Sequence, residues 1–244
     1  VIPKHIIFMS RTRERVTFPV DARLGFTLIE LLVVISIILI ASSIIFIGGN
    51  GGGGVALSSS QRIVGGVVGG ARGQAILKNA TTRLIIHDDP SELDKYRRFF
   101  GIVYDSDSDP DNESWSAATQ GTYLPEGIYF DEAASNAKSG ASWSGADTKL
   151  DYPRVSGQDG TSGAFSYLYY EFKSNGNSAN PNAWLVLRSG TMRPNNEGTQ
   201  VASIEVTEGE RNLMAALIIR MAGNTTSVNE PIAIDQGIDP TEIK

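Results

Sequence analysis

The sequence predicts an α+β chain: a long N-terminal helix that crosses a membrane, followed by a body of short β-strands. Three observations carry this. From Leu31 to Ile47 every residue is apolar except Ser36, Ser42 and Ser43. With Phe26 to Ile29 ahead of it, this run makes a helix of about 20 residues, roughly 30 Å, enough for a bilayer core. Beyond residue 80 the chain breaks into short β-branched and aromatic runs separated by Asn, Gly, Ser and Pro. At 244 residues, 41% hydrophobic and 20% charged, it is long enough to bury one core beyond the N-terminal segment.

The flanks of the apolar run set its orientation. Basic residues precede it, and no charge follows until Arg62. The positive-inside rule then keeps the N-terminus in the cytoplasm and exports everything after Ile47. The first 25 residues hold Lys4, Arg11, Arg13, Arg15 and Arg23 against Glu14 and Asp21, a net +3, which leaves −9 for the rest of a chain whose total is −6. So acidic a body is not built to neutralise phosphates, and no nucleic-acid partner is expected. The absence of cysteine excludes disulfides, Cys-ligated zinc and thiol catalysis. A secretory signal would have a shorter apolar region; Gly48–Gly54 could imitate its cleavage site, but Glu30 argues against that reading.

Glu30 is an acid where lipid is expected. Gly25-Phe26-Thr27-Leu28-Ile29-Glu30, preceded by a short basic leader and followed by Leu31-Leu32-Val33-Val34, resembles the cleavage and methylation signature of type IV pilins and type II secretion pseudopilins. The resemblance implies that a prepilin peptidase cuts between Gly25 and Phe26 and methylates the new N-terminus on Phe26. Residues 1–25 are then the leader and 26–47 the transmembrane and assembly helix. A start at Met9 would give a leader of 17 residues, Met9 to Gly25. Glu30 becomes the fifth residue of the mature chain, and in that family its partner is the cationic N-terminal amine of an adjacent subunit. Such a partner would offset the cost of a lone intramembrane carboxylate, which is several kcal/mol. Read from the residues alone, an acid near a helix N-terminus at the membrane interface is also tolerated.

Residues 48–80 read as a glycine-rich continuation of the helix. The run GGNGGGG contains a formal G-x-G-x-x-G, but no Asp or Glu lies between Glu30 and Asp88 to hold a ribose, so it is not a dinucleotide fingerprint. Each glycine costs a helix about 1 kcal/mol relative to alanine, which makes this a place to melt or bend. Ser58-Ser59-Ser60 can cap a second helical stretch, with a stripe at Val64, Val67, Val68, Ala71, Ala75 and Ile76. Gly65, Gly69 and Gly73 permit close approach to neighbouring helices or to the body's own sheet; the alternative is simply a weak helix. The run Ala71 to Asn79, leading into Thr82–Ile86, is similar to the helix end and first strand of H-type minor pseudopilins and their FimT-type relatives. Leu124-Pro125-Glu126-Gly127-Ile128 also looks like the turn that enters a mid-domain strand in H-type proteins.

Residues 81–244 are expected to form the periplasmic β-rich domain, and the resemblance implies a pilin-like body in which the second half of the long helix packs on an antiparallel β-sheet or sandwich. Strands are expected at Arg83–His87, Phe99–Asp105, Gly127–Asp131, Phe165–Lys173, Ala183–Ser189 and Val201–Val206, and at Leu213–Met221 unless Leu213–Ala222 is helical. Alternation of Phe165, Tyr167 and Tyr169 with Ser166, Leu168 and Tyr170 suggests a sheet with one packed face. Ser174–Asn182 should return that strand as a hairpin-like pair with Trp184–Leu187.

Candidate sites are few. Asp105, Asp107, Asp109, Asp111 and Glu113 offer oxygen ligands to calcium, but the EF-hand's glycine and glutamate positions hold Pro110 and Ser116, so a solvated acidic loop is the main expectation. His87-Asp88-Asp89, followed by Pro90 and Ser91, reads as a turn, since the other histidine is His5 in the leader. Tyr167, Tyr169, Tyr170, Phe172 and Trp184 read as core, with a sugar- or protein-binding surface as the alternative. No hydrolase, zinc-protease or P-loop motif is present. The expectation is therefore a non-enzymatic, cofactor-free minor pseudopilin of the bacterial inner membrane. Its partners would be prepilin peptidase, other pilin-type subunits and, indirectly, exported proteins. The rivals are a minor pilin for adhesion or DNA uptake and a membrane-anchored binding module.

Overall fold

The computed structural model describes residues 27–48, 52–107, 114–137, 144–153, 156–158, 165–193, 203–239 and 241. The chain divides into two units, Val1–Gly48 and Gly49–Lys244. The first holds α1 (Leu28–Gly48); the second holds α2 (Gly52–Lys78), α3 (Glu132–Asn136), α4 (Pro231–Gln236) and thirteen described strands. These are β1 (Thr82–His87), β2 (Phe99–Asp105), β3 (Ser114–Ala117), β4 (Thr122–Tyr123), β5 (Ile128–Asp131), β6 (Ser144–Leu150), β7 (Ser156–Gln158), β8 (Phe165–Phe172), β9 (Ala183–Ser189), β10 (Thr191–Arg193), β11 (Ser203–Glu205), β12 (Met214–Ile219) and β13 (Thr225–Val228). All paired strands are antiparallel.

One sheet runs β6-β8-β1-β2-β3-β7, with β4 beside β2; a second runs β13-β12-β9-β5; β10 and β11 form a separate ribbon. The main core lies between the two large sheets and α2. Leu84, Ile86, Phe100, Ile102, Leu168, Tyr170 and Phe172 face it from the first sheet, and Leu185, Leu187, Ala215, Leu217 and Ile219 from the second. α2 contributes Leu57, Val64, Val68, Ala71 and Ala75 at helical spacing. Of the expected stripe, Val67 is partly buried, while Ile76 is exposed.

The sheets are packed on both faces, which corrects the one-sided expectation. The alternate residues of the first sheet, Ile85, Phe99, Val103 and Tyr167, join Trp115, Leu150 and Tyr152 in a second cluster. Those of the second sheet, Trp184, Val186, Met214, Ala216 and Ile218, pack with Ala233 and Ile234 of α4. Near-continuous apolar strands such as MAALII are what two buried faces require, and this segment is strand, not helix. Nor do β8 and β9 form a hairpin: they belong to different sheets. Residues 173–182 cross between sheets, and the Tyr170 hydroxyl donates to the Trp184 carbonyl at 2.6 Å through the core.

Several buried polar groups have defined partners. Gln61 Nε2 donates to the carbonyls of Ala216 (2.9 Å) and Val228 (3.3 Å), pinning α2 to the second sheet. Arg83 bonds Glu171 at 2.9 Å, its guanidinium 4.0 Å from the Trp115 ring centre and 4.1 Å from that of Tyr169. Ser58–Ser60 do not cap a helix, because α2 begins at Gly52; Ser60 instead donates back to the Ala56 carbonyl at 2.7 Å. Gly69 and Gly73 have no neighbour within 4 Å of where a Cβ would stand, so the body's own sheet does not require them.

The turn after β1 forms as expected, with the Ser91 amide donating to Asp89 Oδ1 at 2.9 Å. His87 is fully buried beside Phe165 and Tyr167, its Nε2 3.3 Å from Glu92 Oε2 but misaligned for a hydrogen bond. Burial holds its pKa below 6.5, with Glu92 and Asp89 opposing and Lys95 adding to the shift. The unfolded state therefore binds the proton first as pH falls below about 6.5, and stability declines from there down to the folded pKa. A melting temperature that falls between about pH 7.5 and 5, and falls less in His87→Phe, is the expected outcome. Equal slopes in the two proteins would show that His87 does not titrate across unfolding.

Candidate functional site: the N-terminal assembly segment

Gly25 and Phe26, the expected cleavage pair, lie outside the described residues, which begin at Thr27. Helix α1 starts one residue later. Thr27 is its N-cap: Thr27 Oγ1 accepts from the Glu30 amide at 3.3 Å, and Glu30 Oε2 accepts in return from the Thr27 amide and hydroxyl, each at 3.4 Å. This is a capping box, the reciprocal pairing of the N-cap and third residues that satisfies two orphan amides. The spacing Thr27-x-x-Glu30 is its sequence signature, so Glu30 is not a lone acid in the single chain. In the single chain, Glu30 is thus an exposed helix-start acid with local partners.

Beyond Glu30 the helix has no polar face. Every apolar side chain from Leu28 to Leu39 is exposed, from 43% at Val34 to 81% at Leu28, and Ser36 hides its hydroxyl on the Leu32 carbonyl at 2.8 Å. A helix apolar on all sides needs cover from lipid or from other apolar helices. Among the described residues, no helix is long and apolar enough to cross a membrane. The membrane-crossing expectation extends to Ile47, and the side chains of residues 40–48 lie outside the described ones.

Residues 21–46 match the family model described as the prokaryotic N-terminal methylation motif. The chain has a pilin-type N-terminus. The match brackets Gly25, Phe26 and Glu30, and the motif implies processing by prepilin peptidase, membrane anchoring, and assembly with other pilin-type subunits. Searches of curated proteins and of solved structures found no match.

The remaining candidates fare differently. Asp105 Oδ1 accepts from the amides of Asp107 (3.1 Å) and Ser114 (3.0 Å), residues on either side of the acidic segment. Asp109, Asp111 and Glu113 lie outside the described residues, and among the described ones no three acids or histidines are grouped to hold a metal. The alternative of an aromatic binding surface is corrected: Tyr167, Tyr170, Phe172 and Trp184 are buried, and Tyr169 lies half-buried under Arg83.

Proposed function

We propose that this chain is a structural, non-enzymatic minor pseudopilin of the H type, a subunit of the type II secretion fibre. The observation that carries the reading is the pilin-type N-terminus itself, with Glu30 at the fifth position of the processed chain, heading a helix apolar on every side. Residues 26–47 anchor the subunit in the inner membrane with the basic leader in the cytoplasm, and the acidic body projects into the periplasm. The same helix then packs against those of other subunits in the fibre. The H-type assignment is supported by the resemblance at Ala71–Asn79 and Thr82–Ile86, where α2 gives way to β1, and at the turn before β5. Partners are other pseudopilins and, indirectly, the exported proteins.

Mass spectrometry of the N-terminal peptide from native membranes tests the core of this. A peptide beginning at N-methylated Phe26 is expected. One that retains Gly25, or begins after Gly48, would overturn the pilin reading. Deleting the gene tests the finer assignment: exoproteins should accumulate in the periplasm while surface pili persist, and the reverse pattern would assign the subunit to a pilus.

A further inference from the structure

The body carries a cavity of about 290 Å³ that neither the core nor the assembly segment uses. This is near the lower end of the range for small-molecule sites. Its base is the outer face of the second sheet, where Tyr129 of β5 stands directly across from Arg188 of β9. Asp131 and Glu132, at the start of α3, form one wall, and Tyr96 and Arg97 another. Ser203 and Ile204 of the β10–β11 ribbon line the remaining side.

The polar groups in this cavity are already balanced against one another. Arg97 pairs with both Asp88 and Glu132, and Arg188 Nε lies 2.8 Å from Asp131 Oδ2. Asp131 also caps α3, its Oδ1 accepting from the Ala134 amide at 2.9 Å. Along the lining two guanidinium groups thus meet two carboxylates, Asp131 and Glu132, while Asp88 pairs with Arg97 from outside it. An anion finds no uncompensated positive charge, a cation would approach two arginines, and an apolar ligand would strand the charged groups. A peptide strand has no slot at the edge of β5, because the Phe130 amide donates to the Arg97 carbonyl at 2.9 Å. What fits is a neutral ligand with donors and acceptors side by side. A hydroxyl is both, so adjacent hydroxyls can bridge a guanidinium and its carboxylate, while half-buried Tyr96 in the lining adds aromatic surface for the C–H groups of a ring.

The backbone is held for this purpose. Arg97 has φ 56°, a left-handed conformation that side-chain-bearing residues seldom adopt. It is kept there by its amide, which donates to the His87 carbonyl at 2.9 Å, and by its carbonyl, which accepts from Phe130. These bonds fix the backbone of a buried residue that lines the cavity, and backbone outliers of this sort cluster at ligand sites.

We propose that the cleft between the β5–α3 junction and the β10–β11 ribbon binds a neutral sugar ring, either free or at the end of a glycan. The site is independent of the fibre in which the subunit sits. It is tested on the full-length protein in a detergent without a sugar headgroup, titrated with maltose, lactose and N,N′-diacetylchitobiose and followed by saturation-transfer NMR and calorimetry. At least one disaccharide should bind, and Arg188→Gln should weaken it about tenfold or more, the scale set by hydrogen bonds to a charged group. Tyr96→Leu, at a half-exposed position outside the core, should weaken it as well, and this decides the matter if Arg188→Gln proves misfolded by circular dichroism. The proposal is overturned if none of the three sugars binds, if binding survives in a folded Arg188→Gln and in Tyr96→Leu, or if inorganic phosphate or trialanine binds in their place. Since purified protein is used, failure here leaves N-terminal processing untouched, and failed processing leaves sugar binding untouched.

Discussion

Replacing Gly101 by alanine is expected to destabilise the body by about 3 kcal/mol, the upper end of the usual overpacking cost. Gly101 sits in the middle of β2, paired with Ile85, and the Tyr152 ring lies across its backbone. A Cβ there would stand 2.0 Å from Tyr152 Oη and 2.4 Å from Cζ. The ring cannot swing aside cheaply. Its hydroxyl donates to the Thr119 carbonyl at 2.8 Å and lies 2.9 Å from Thr119 Oγ1, which in turn accepts from the Ile102 amide at 3.1 Å. Phe99 and Tyr167 flank it, with ring centres 5.7 and 6.3 Å away. For a body of this size the melting temperature should fall by about 6–12 °C, measured by near-UV circular dichroism on the full-length protein in detergent. Gly69→Ala and Gly73→Ala serve as the contrast, because open space surrounds both; each should gain about 0.5–1 kcal/mol of helix stability. A midpoint for Gly101→Ala at or above that of the parent would show that Tyr152 does not pack across β2.

The strands at Thr82–His87, Phe99–Asp105 and Ala183–Ser189 were legible because each is a contiguous apolar or aromatic run ended by turn residues. Two-sided packing was legible in principle too. In β8 the set Leu168, Tyr170 and Phe172 is as apolar as the set Phe165, Tyr167 and Tyr169, so neither face was free for water. Most strands adjacent in sequence pair with each other, but β8 and β9 do not. Their partners are set by the main core, where Tyr170 reaches the backbone of Trp184, and no local pattern encodes a contact between sheets.

The two sites differ in the same way. Gly25, Phe26 and Glu30 lie within six residues of one another, and their spacing is the signal. The cavity draws Tyr96, Arg97, Tyr129, Asp131 and Arg188 from three separate parts of the chain. Each is unremarkable where it stands in sequence: an arginine after a turn, an aspartate before a short helix. Only the folded body brings the paired charges to one rim, and the left-handed residue at Arg97 gives no sequence cue because it is not glycine.

Glu30→Gln is expected to abolish incorporation into the fibre while leaving the subunit processed, folded and in the membrane. The substitution separates two roles that the carboxylate holds together. In the single chain Glu30 closes a capping box with Thr27, and glutamine serves that position nearly as well as glutamate. Helix initiation should therefore survive, and the N-terminal peptide should still begin at N-methylated Phe26. What glutamine cannot supply is the charge that, in the proposed fibre, would meet the N-terminal amine of a neighbouring subunit inside the membrane. In low dielectric that attraction is worth far more than an exposed ion pair, and losing one partner leaves the other charge buried and alone. Fibre assembly read by shearing or cross-linking should fall at least about tenfold, the effect of some 1.4 kcal/mol per subunit contact. Glu30→Leu, which removes the cap and the charge together, should assemble no better. If the Gln variant assembles like the parent while the Leu variant does not, Glu30 is a helix cap and the fibre takes its register from elsewhere in the helix.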